Sequence, residues 1–535
     1  MKKRMIAILL AFVFLYSSIT VRLYTLSVKK IEIADNSQKR YTLMIGEIRG
    51  EILDCNGEKL VSSEYDNVVA LKPTVKALAT LENVLDEKSY SMLKQRMKNS
   101  KALTVNIGDF EVDENQDVVM LKKYFRYSDT QIADHIIGYL NGEGKGVYGI
   151  EKSFDDILYT GKSLSVSFSS DVFGRVLSGT QITVNNGDIG KGSVMLTLDS
   201  RIQKIAEDAL DSNGVECGGA IVVETQTGAI RAMVSRPDFD AGNIAAFLND
   251  EKSPLLNRTL NAYSVGSVFK VAVAATAIEN GKGDFTYDCK GSCNVDGTVF
   301  CCNNNTVHGK LDLTKALECS CNTFFIELAS QLGAEKILET ASLMGFGQGN
   351  VLTDAIVSKQ GVVPSVSELE SSGAFANFSF GQGRFTATMI QLNNMMSAVA
   401  GEGKYYKPYL IEKATNANGE NIFTHRGGYP VYVLTEKTCE YLTDMLKSVV
   451  EKGNAQMAKP DNNVFAAGKT ATAQTGIFDE NGTEICNTWF AGFFDSGKTR
   501  YTVVILKERG VSGATDCAPV FKCIADEIVK LEKIS

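Results

Sequence analysis

The N-terminal stretch "MKKRMIAILLAFVFLYSSITVRLY" constrains this chain before anything else does. Lys2, Lys3 and Arg4 are followed by no charged residue from Met5 to Val21. A run of about 17 residues is the short end of what a helix needs to cross the hydrocarbon core of a bilayer. It is long for the core of a signal peptide, and no clear Ala-x-Ala cleavage site follows it. The positive flank lies on the N-terminal side, which keeps that end in the cytoplasm. The expectation is a cytoplasmic tail at 1–4, an uncleaved single-pass anchor in the cell membrane at 5–21, and everything after Arg22 outside the cytoplasm. A cleaved signal peptide is the alternative.

The remainder reads as globular. At 535 residues, 44% hydrophobic and 22% charged, the chain has room for two or more domains. A net charge of −8 argues against nucleic acid as a partner. There is no Gly-x-Ser-x-Gly elbow, no Walker loop and no His-Glu-x-x-His helix. Residues 22–45 read as a stalk, and Asp54, Asn56 and Gly57 as a turn between two extended pieces. A mixed region runs to about 190, with helical patterns at 82–99 and 149–158. The texture then changes. "VMLTLD" alternates like a strand, and "SRIQKIAEDAL" is an amphipathic helix capped by Asp199 or Ser200. Strand patterns at 218–235, 463–476, 487–495 and 500–508, helices between them and a helix at 518–533 make an α/β or α+β sheet domain over 191–535.

Within that domain "YSVGSVFKVAVAATAIENG" places Ser267 three residues before Lys270, on one helical face. A serine hydroxyl becomes a nucleophile when a base takes its proton, and a lysine buried by "VAVAATAI" can be that base. The pattern alone is common, and Ser27/Lys30 and Ser91/Lys94 also match it. Two further motifs follow in order: Ser320-Cys321-Asn322, after the helical run "LDLTKALE", and Lys469-Thr470-Ala471, on an expected strand. A second Ser-x-Asn, Ser292-Cys293-Asn294, lies in a cysteine-rich loop and reads as a turn. Ser-x-x-Lys, Ser-x-Asn and Lys-Thr-Gly together are the motif set of penicillin-binding proteins and active-site serine β-lactamases.

The sequence resembles class B penicillin-binding proteins over nearly its whole length, through "RGEILDCNG", "HIIGYLNGEGKGVYGIEKSFDDIL", "MLTLDSRIQ", "TGAIRAMVSRPDFD", "NRTLNAYSVGSVFK", "HGKLDLTKALECSCNTFF", "FSFGQGRFTATMIQ", "GKTATAQTG" and "WFAGFF". The resemblance implies an anchor, a pedestal domain at 22–190, and a transpeptidase domain built on a five-stranded antiparallel sheet flanked by helices. It implies a D,D-transpeptidase acting on peptidoglycan stem peptides and acylated by β-lactams. Ser267 would be the nucleophile and Lys270 its base, with Ser320 and Lys469 relaying a proton. Asn322 would hold the substrate amide and Thr470 its terminal carboxylate. The backbone N–H groups of Ser267 and Thr472 would form the oxyanion hole, with no metal or organic cofactor. A membrane glycan polymerase of the SEDS type is the implied partner. No deacylating glutamate motif points to a β-lactamase, and four residues before the span leave no room for the signalling domain of a sensor.

Three positions depart from that family. Val265 replaces the proline before Gly266-Ser267, Cys55 replaces an arginine, and Ala471 replaces the glycine of Lys-Thr-Gly. The Ala471 methyl is expected to stand where a substrate backbone approaches the strand, and it motivates the alternative of a weakly catalytic or non-catalytic scaffold. Of the twelve cysteines, Cys289, Cys293, Cys301 and Cys302 crowd one short segment. Outside the cytoplasm one or two disulfides could staple that loop, whereas a strictly anaerobic cell would leave all twelve cysteines reduced; the spacing fits no usual zinc pattern. Cys319 and Cys321 read as small buried fillers. His135, His308 and Trp489 are assigned structural roles.

Overall fold

An α-helix, α1, runs from Lys2 to Asn36. The computed structural model describes residues 2–36, 39–62, 64–128, 130–177, 179–185, 191–461 and 463–534. Met5–Thr25 within α1 has a mean hydropathy of 2.1 and none of it is buried by protein. At 1.5 Å per residue that stretch is about 32 Å long, the thickness of a bilayer core. Its polar residues are satisfied inside the helix: Ser17 Oγ donates to Val13 O (2.8 Å), Ser18 Oγ to Phe14 O (2.9 Å) and Thr20 Oγ1 to Tyr16 O (2.8 Å). A hydroxyl that bonds its own helix adds little cost in an apolar solvent. The apolar stretch extends four residues past the expected end at Val21.

The chain forms two compact units, and they do not divide at one point near 190. The smaller takes residues 1–48, 63–126 and 161–189, and the larger takes 49–62, 127–160 and 190–535. In the smaller unit strand Tyr65–Leu71 lies between Leu103–Gly108 and Val118–Tyr124, antiparallel to both. Alternate side chains of that strand enter opposite cores, Val68 and Ala70 beside Leu121 and Phe168, Val69 and Leu71 beside Leu93 and Ile107. This is the period-two consequence of a strand covered on both faces.

The larger unit is built on five antiparallel strands: β1 (Gly218–Glu224), β2 (Ile230–Arg236), β3 (Ala466–Phe478), β4 (Glu484–Asp495) and β5 (Arg500–Gly510). Their order is β2-β1-β5-β4-β3, which leaves β3 at an edge. Helix α2 (Ser200–Ser212), with Asp199 as its N-cap, packs beside the C-terminal helix α7 (Ala518–Ile534) on one face. Phe490 of β4 meets Phe521 of α7 with ring centroids 4.5 Å apart. The other face is covered by the fully buried helix Met389–Ala400, against β1, β4 and β5, and by α6 (Glu436–Glu451), against β3; α3 (Lys270–Glu279) and α4 (Leu313–Glu318) pack on α6, and α5 (Asn322–Leu332) packs on α3. Helix α3 is apolar on every side because it runs through the core, with Lys270 to Ala277 all buried.

The early segments join this unit through polar contacts that local sequence does not announce. Glu51–Leu53 pairs in parallel with Ser193–Leu196, and Asp54 accepts from Ser200 N (3.1 Å) and Ser200 Oγ (2.8 Å). The Asp54–Gly57 turn forms as expected, with Gly57 N donating to Asp54 O (3.1 Å). Cys55 spends its N–H on Leu198 O (2.8 Å), and burial pushes its thiol up to about 11.

Arg49 is the hub of this region. It donates to Glu151 Oε2 (2.6 Å), Asp155 Oδ1 (2.7 Å), Glu151 O (3.0 Å) and Gly144 O (3.0 Å). Glu151 is fully buried. Arg49→Ala takes the guanidinium away from the fully buried Glu151 carboxylate and is expected to cost ~3–5 kcal/mol. Urea denaturation checks this, and a variant as stable as the parent would show that the cluster contributes nothing.

Candidate active site

Lys270 organises the site. Its side chain is fully buried, and Nζ donates to Asn322 Oδ1 (2.7 Å), Ser320 O (2.8 Å) and Ser320 Oγ (3.3 Å). Three acceptors are as many as an ammonium has protons to give. The Phe325 ring lies 5.5 Å from Nζ. Burial lowers the Lys270 ammonium to about 8, with the neighbouring Cys321, Cys302 and Cys319 sulfurs opposing the fall. Lys469 of β3 is equally buried, and its Nζ donates to Thr470 O (3.1 Å). Burial first, and the like charge of Lys270 second, hold Lys469 well below the ordinary lysine range. The first and third motifs are therefore within electrostatic reach of each other, and the second is hydrogen-bonded to the first.

Ser267 sits partly exposed in a 3₁₀ turn, Gly266–Phe269, that leads into α3 at Lys270. Phe269 pins the turn from beneath, with ring centroids 4.4 Å from Phe385, 5.0 Å from Phe378 and 5.6 Å from Phe346. Gly266 N donates to Gly381 O (2.9 Å), so the "FGQG" loop fixes the turn from above. Both glycines are required. Each has φ in the left-handed region (+57° and +78°), and a Cβ on Gly381 would lie 2.1 Å from Gly266 O. A Cβ on Gly266 would lie 3.1 Å from the Ala473 methyl and 3.3 Å from Thr472 O, which shows how closely the turn meets β3.

Ser320 occupies the short link between α4 and α5, as expected, at a positive φ of 55°. Such a conformation persists in a non-glycine residue only when the surroundings enforce it. Cys321, and not Ser320, is the N-cap of α5. Asn322 is committed at both ends of its amide, Oδ1 to Lys270 and Nδ2 to Cys301 O (3.0 Å), so it orients the lysine. Ser292 and Asn294 lie exposed on a separate hairpin.

On β3 the two threonines share a face but not an environment. Thr470 is buried, and its hydroxyl lies 3.1 Å from Asn454 Oδ1, to which it donates. Thr472 is exposed and accepts from Gly513 N (3.4 Å), which leaves its own hydroxyl proton to give. Ala471 differs from expectation. It is only 4% exposed, pairs across the sheet with Trp489, and belongs to the hydrophobic core. Trp489 turns the same way and donates Nε1–H to Ser264 O (2.9 Å), just before the nucleophile turn. The methyl is part of the packing under that turn and does not stand over an open strand.

The cysteine-rich segment also departs from expectation. All twelve cysteines are free thiols, and Cys289 and Cys302 Sγ are 3.7 Å apart, far beyond the ~2.05 Å of a disulfide. His308 Nδ1 lies 3.4 Å from Cys289 Sγ, and Cys321 Sγ 3.6 Å from Cys302 Sγ. These four are the described residues able to hold a metal ion by proximity of three or more ligand groups. Sequence spacing missed them because Cys289 is 13 residues from Cys302 and 19 from His308. His135 is structural, its Nε2 2.7 Å from Pro254 O in a buried pocket.

Known proteins resemble this chain in sequence and in fold. The family profile described as penicillin binding protein transpeptidase domain matches residues 218–526. Stage V sporulation protein D of Bacillus subtilis is 28% identical over 564 residues, covering 97% of this chain and 84% of that protein. Peptidoglycan D,D-transpeptidase FtsI of Escherichia coli is 24% identical, covering 76% of this chain and 67% of its own length. The crystal structure of the D,D-transpeptidase domain of a peptidoglycan glycosyltransferase from Eggerthella lenta superposes with a TM-score of 0.66 at 25% identity, covering 92% of this chain and all of that one (100%). Penicillin binding protein 3 of Mycobacterium tuberculosis in complex with aztreonam superposes with the same TM-score, 0.66, at 21% identity, covering 92% and 98%, a likeness of fold.

Proposed function

The chain belongs to the penicillin-binding protein transpeptidase family, matched over residues 218–526, and on that premise we propose that it crosslinks peptidoglycan stem peptides through an acyl-enzyme on Ser267. The observation that carries this reading is the convergence on Lys270. One buried lysine, a single turn after Ser267, binds Ser320 and Asn322 and shares a low-dielectric site with Lys469. In this reading Lys270, once neutral, takes the Ser267 proton as Oγ attacks the carbonyl of the penultimate D-Ala. The oxyanion is met by the N–H groups of Ser267 and Thr472. The C–N bond then breaks, and Ser320 and Lys469 pass a proton to the departing D-Ala amine. An amine of a neighbouring stem peptide attacks the ester, and Ser267 recovers its proton. Of the two threonines on β3, the exposed Thr472 has the hydroxyl proton to offer the substrate carboxylate, while that of Thr470 goes to Asn454.

β-Lactams acylate the same serine in this reading, in keeping with the aztreonam-bound relative of like fold. In this reading the apolar Met5–Thr25 stretch is the membrane anchor, its basic flank stays in the cytoplasm, and the sheet domain works outside, on stem peptides and beside a SEDS-type glycan polymerase. The scaffold alternative rested on an obstructing Ala471 methyl, and a methyl buried in the core does not supply that obstruction.

Four outcomes test the reading. Ser267→Ala abolishes covalent labelling by a fluorescent penicillin while circular dichroism is unchanged; an adduct mapped by mass spectrometry to Ser320 or Ser292 sinks the assignment. Acylation by the parent protein rises with pH through about 8 and levels off above it, because the base must be unprotonated and burial has brought Lys270 down to that value. Lys270→Arg, which keeps the charge but cannot lose its proton, loses roughly 10²–10⁴-fold in rate and with it the pH dependence. A flat profile in the parent between pH 6 and 10 would refute Lys270 as base. Finally, Ala471→Gly leaves the acylation rate at the parental level and lowers stability by roughly 0.5–1 kcal/mol, the ordinary cost of glycine inside a strand. A gain near the ~10²-fold that a displacement of about 1 Å can cost would restore the obstruction.

A further inference from the structure

We propose that Cys289, Cys302, His308 and Cys321 bind one zinc ion, and that this ion holds the Ser320–Asn322 motif in place. Tetrahedral zinc with Zn–S near 2.3 Å and Zn–N near 2.05 Å sets its ligands about 3.8 Å apart for two sulfurs and about 3.6 Å for sulfur and nitrogen. The observed separations are 3.7 Å for Cys289–Cys302, 3.6 Å for Cys302–Cys321 and 3.4 Å for Cys289 to His308 Nδ1. All four ligand atoms lie within 4.8 Å of one another, and the three sulfurs are buried. Cys₃His is a closed donor set of the structural kind, soft enough to select zinc over magnesium or calcium.

Three donors face the sulfurs, as thiolate ligands require, against one long contact in which Cys289 Sγ donates to Thr306 O (4.0 Å). Gly291 N donates to Cys289 Sγ (3.4 Å), Phe324 N to Cys321 Sγ (3.4 Å) and Thr323 Oγ1 to Cys289 Sγ (3.2 Å). Such outer bonds orient metal ligands. Cys321 caps the eleven-residue helix α5, whose positive end favours a thiolate. Binding releases three thiol protons and leaves a site of net charge −1.

The ligands come from four places: the end of strand Tyr287–Cys289, the residue after strand Thr298–Cys301, the residue before strand Gly309–Leu311, and the α4–α5 link. A shared ion ties the 287–311 excursion to that link. Cys321 stands between Ser320, in its left-handed conformation, and Asn322, which also donates to Cys301 O. The four ligands are thus positioning residues for the groups that hold Lys270.

The test uses the full-length protein in detergent, purified under reducing conditions without chelator. Elemental analysis is expected to give one zinc per chain. Cobalt(II) added to the zinc-depleted protein is expected to show thiolate charge-transfer bands and the intense visible bands of a tetrahedral site. Cys302→Ser and His308→Ala lose the metal, whereas Cys293→Ser and Cys301→Ser, neighbours outside the cluster, retain it. Protein without zinc and without the cobalt bands overturns the site, as does equal zinc in all four variants. If the ligand variants fail to fold, depletion and restoration of the parent protein still decide. Depletion slows penicillin acylation by about 10²-fold, as for a motif displaced by ~1 Å, and zinc restores it while circular dichroism stays constant. An unchanged acylation rate in the depleted protein overturns the positioning role. This last arm rests on the proposed function, and a protein that holds one zinc but never acylates refutes that function and leaves the metal site standing.

Discussion

Two lysines buried side by side set the terms for this domain. Lys270 and Lys469 have no exposure to solvent, and the charge of Lys270 makes that of Lys469 more costly. An ammonium in such a place needs either full hydrogen bonding or the loss of its proton. Lys270 meets the first condition through Ser320 and Asn322 and comes near the second at about pH 8. The turn at Gly266, the left-handed Ser320 and the edge strand β3 are arranged around that requirement. A group that switches between the two states at little cost is what proton transfer needs.

The rest of the larger unit supplies the rigidity. The nucleophile turn is held from below by the Phe269 aromatic cluster, from above by Gly381 and sideways by β3. The sheet carries strands from both ends of the domain, with β1 hydrogen-bonded to β5 across most of the sequence. Early segments complete the same unit: Glu51–Leu53 adds a parallel strand beside Ser193–Leu196, and Arg49 gathers Glu151, Asp155 and Gly144. The compact units are therefore interleaved along the chain. The change of sequence texture near 190 carries no sign of the earlier points at which the chain passes from one unit to the other.

The fold and much of the candidate site were legible from local pattern. The apolar N-terminal run, the α2 helix with its Asp199 cap, the strands of the sheet and the three ordered motifs each carry their signal within a few residues. The misreadings have a different origin. Ala471 looked like an obstruction because a glycine is usual there, but the direction of its methyl depends on Trp489 and the nucleophile turn, both distant in sequence. The division of labour between Thr470 and Thr472 depends on Asn454 and Gly513. Asn322 became an orienting residue only once Cys301 lay beneath it.

The cysteines show the limit most plainly. A cluster of four in one segment suggested pairing among themselves, yet two of them, Cys293 and Cys301, stand outside the group that gathers. Their places are taken by His308 and by Cys321, from the motif loop. Residue order determined the apolar anchor, the helix and strand periods, and the three motifs, because those signals lie in neighbours along the chain. The tertiary structure alone decided which buried groups meet, because distances between residues 13 or 19 positions apart are set by packing and not by covalent spacing.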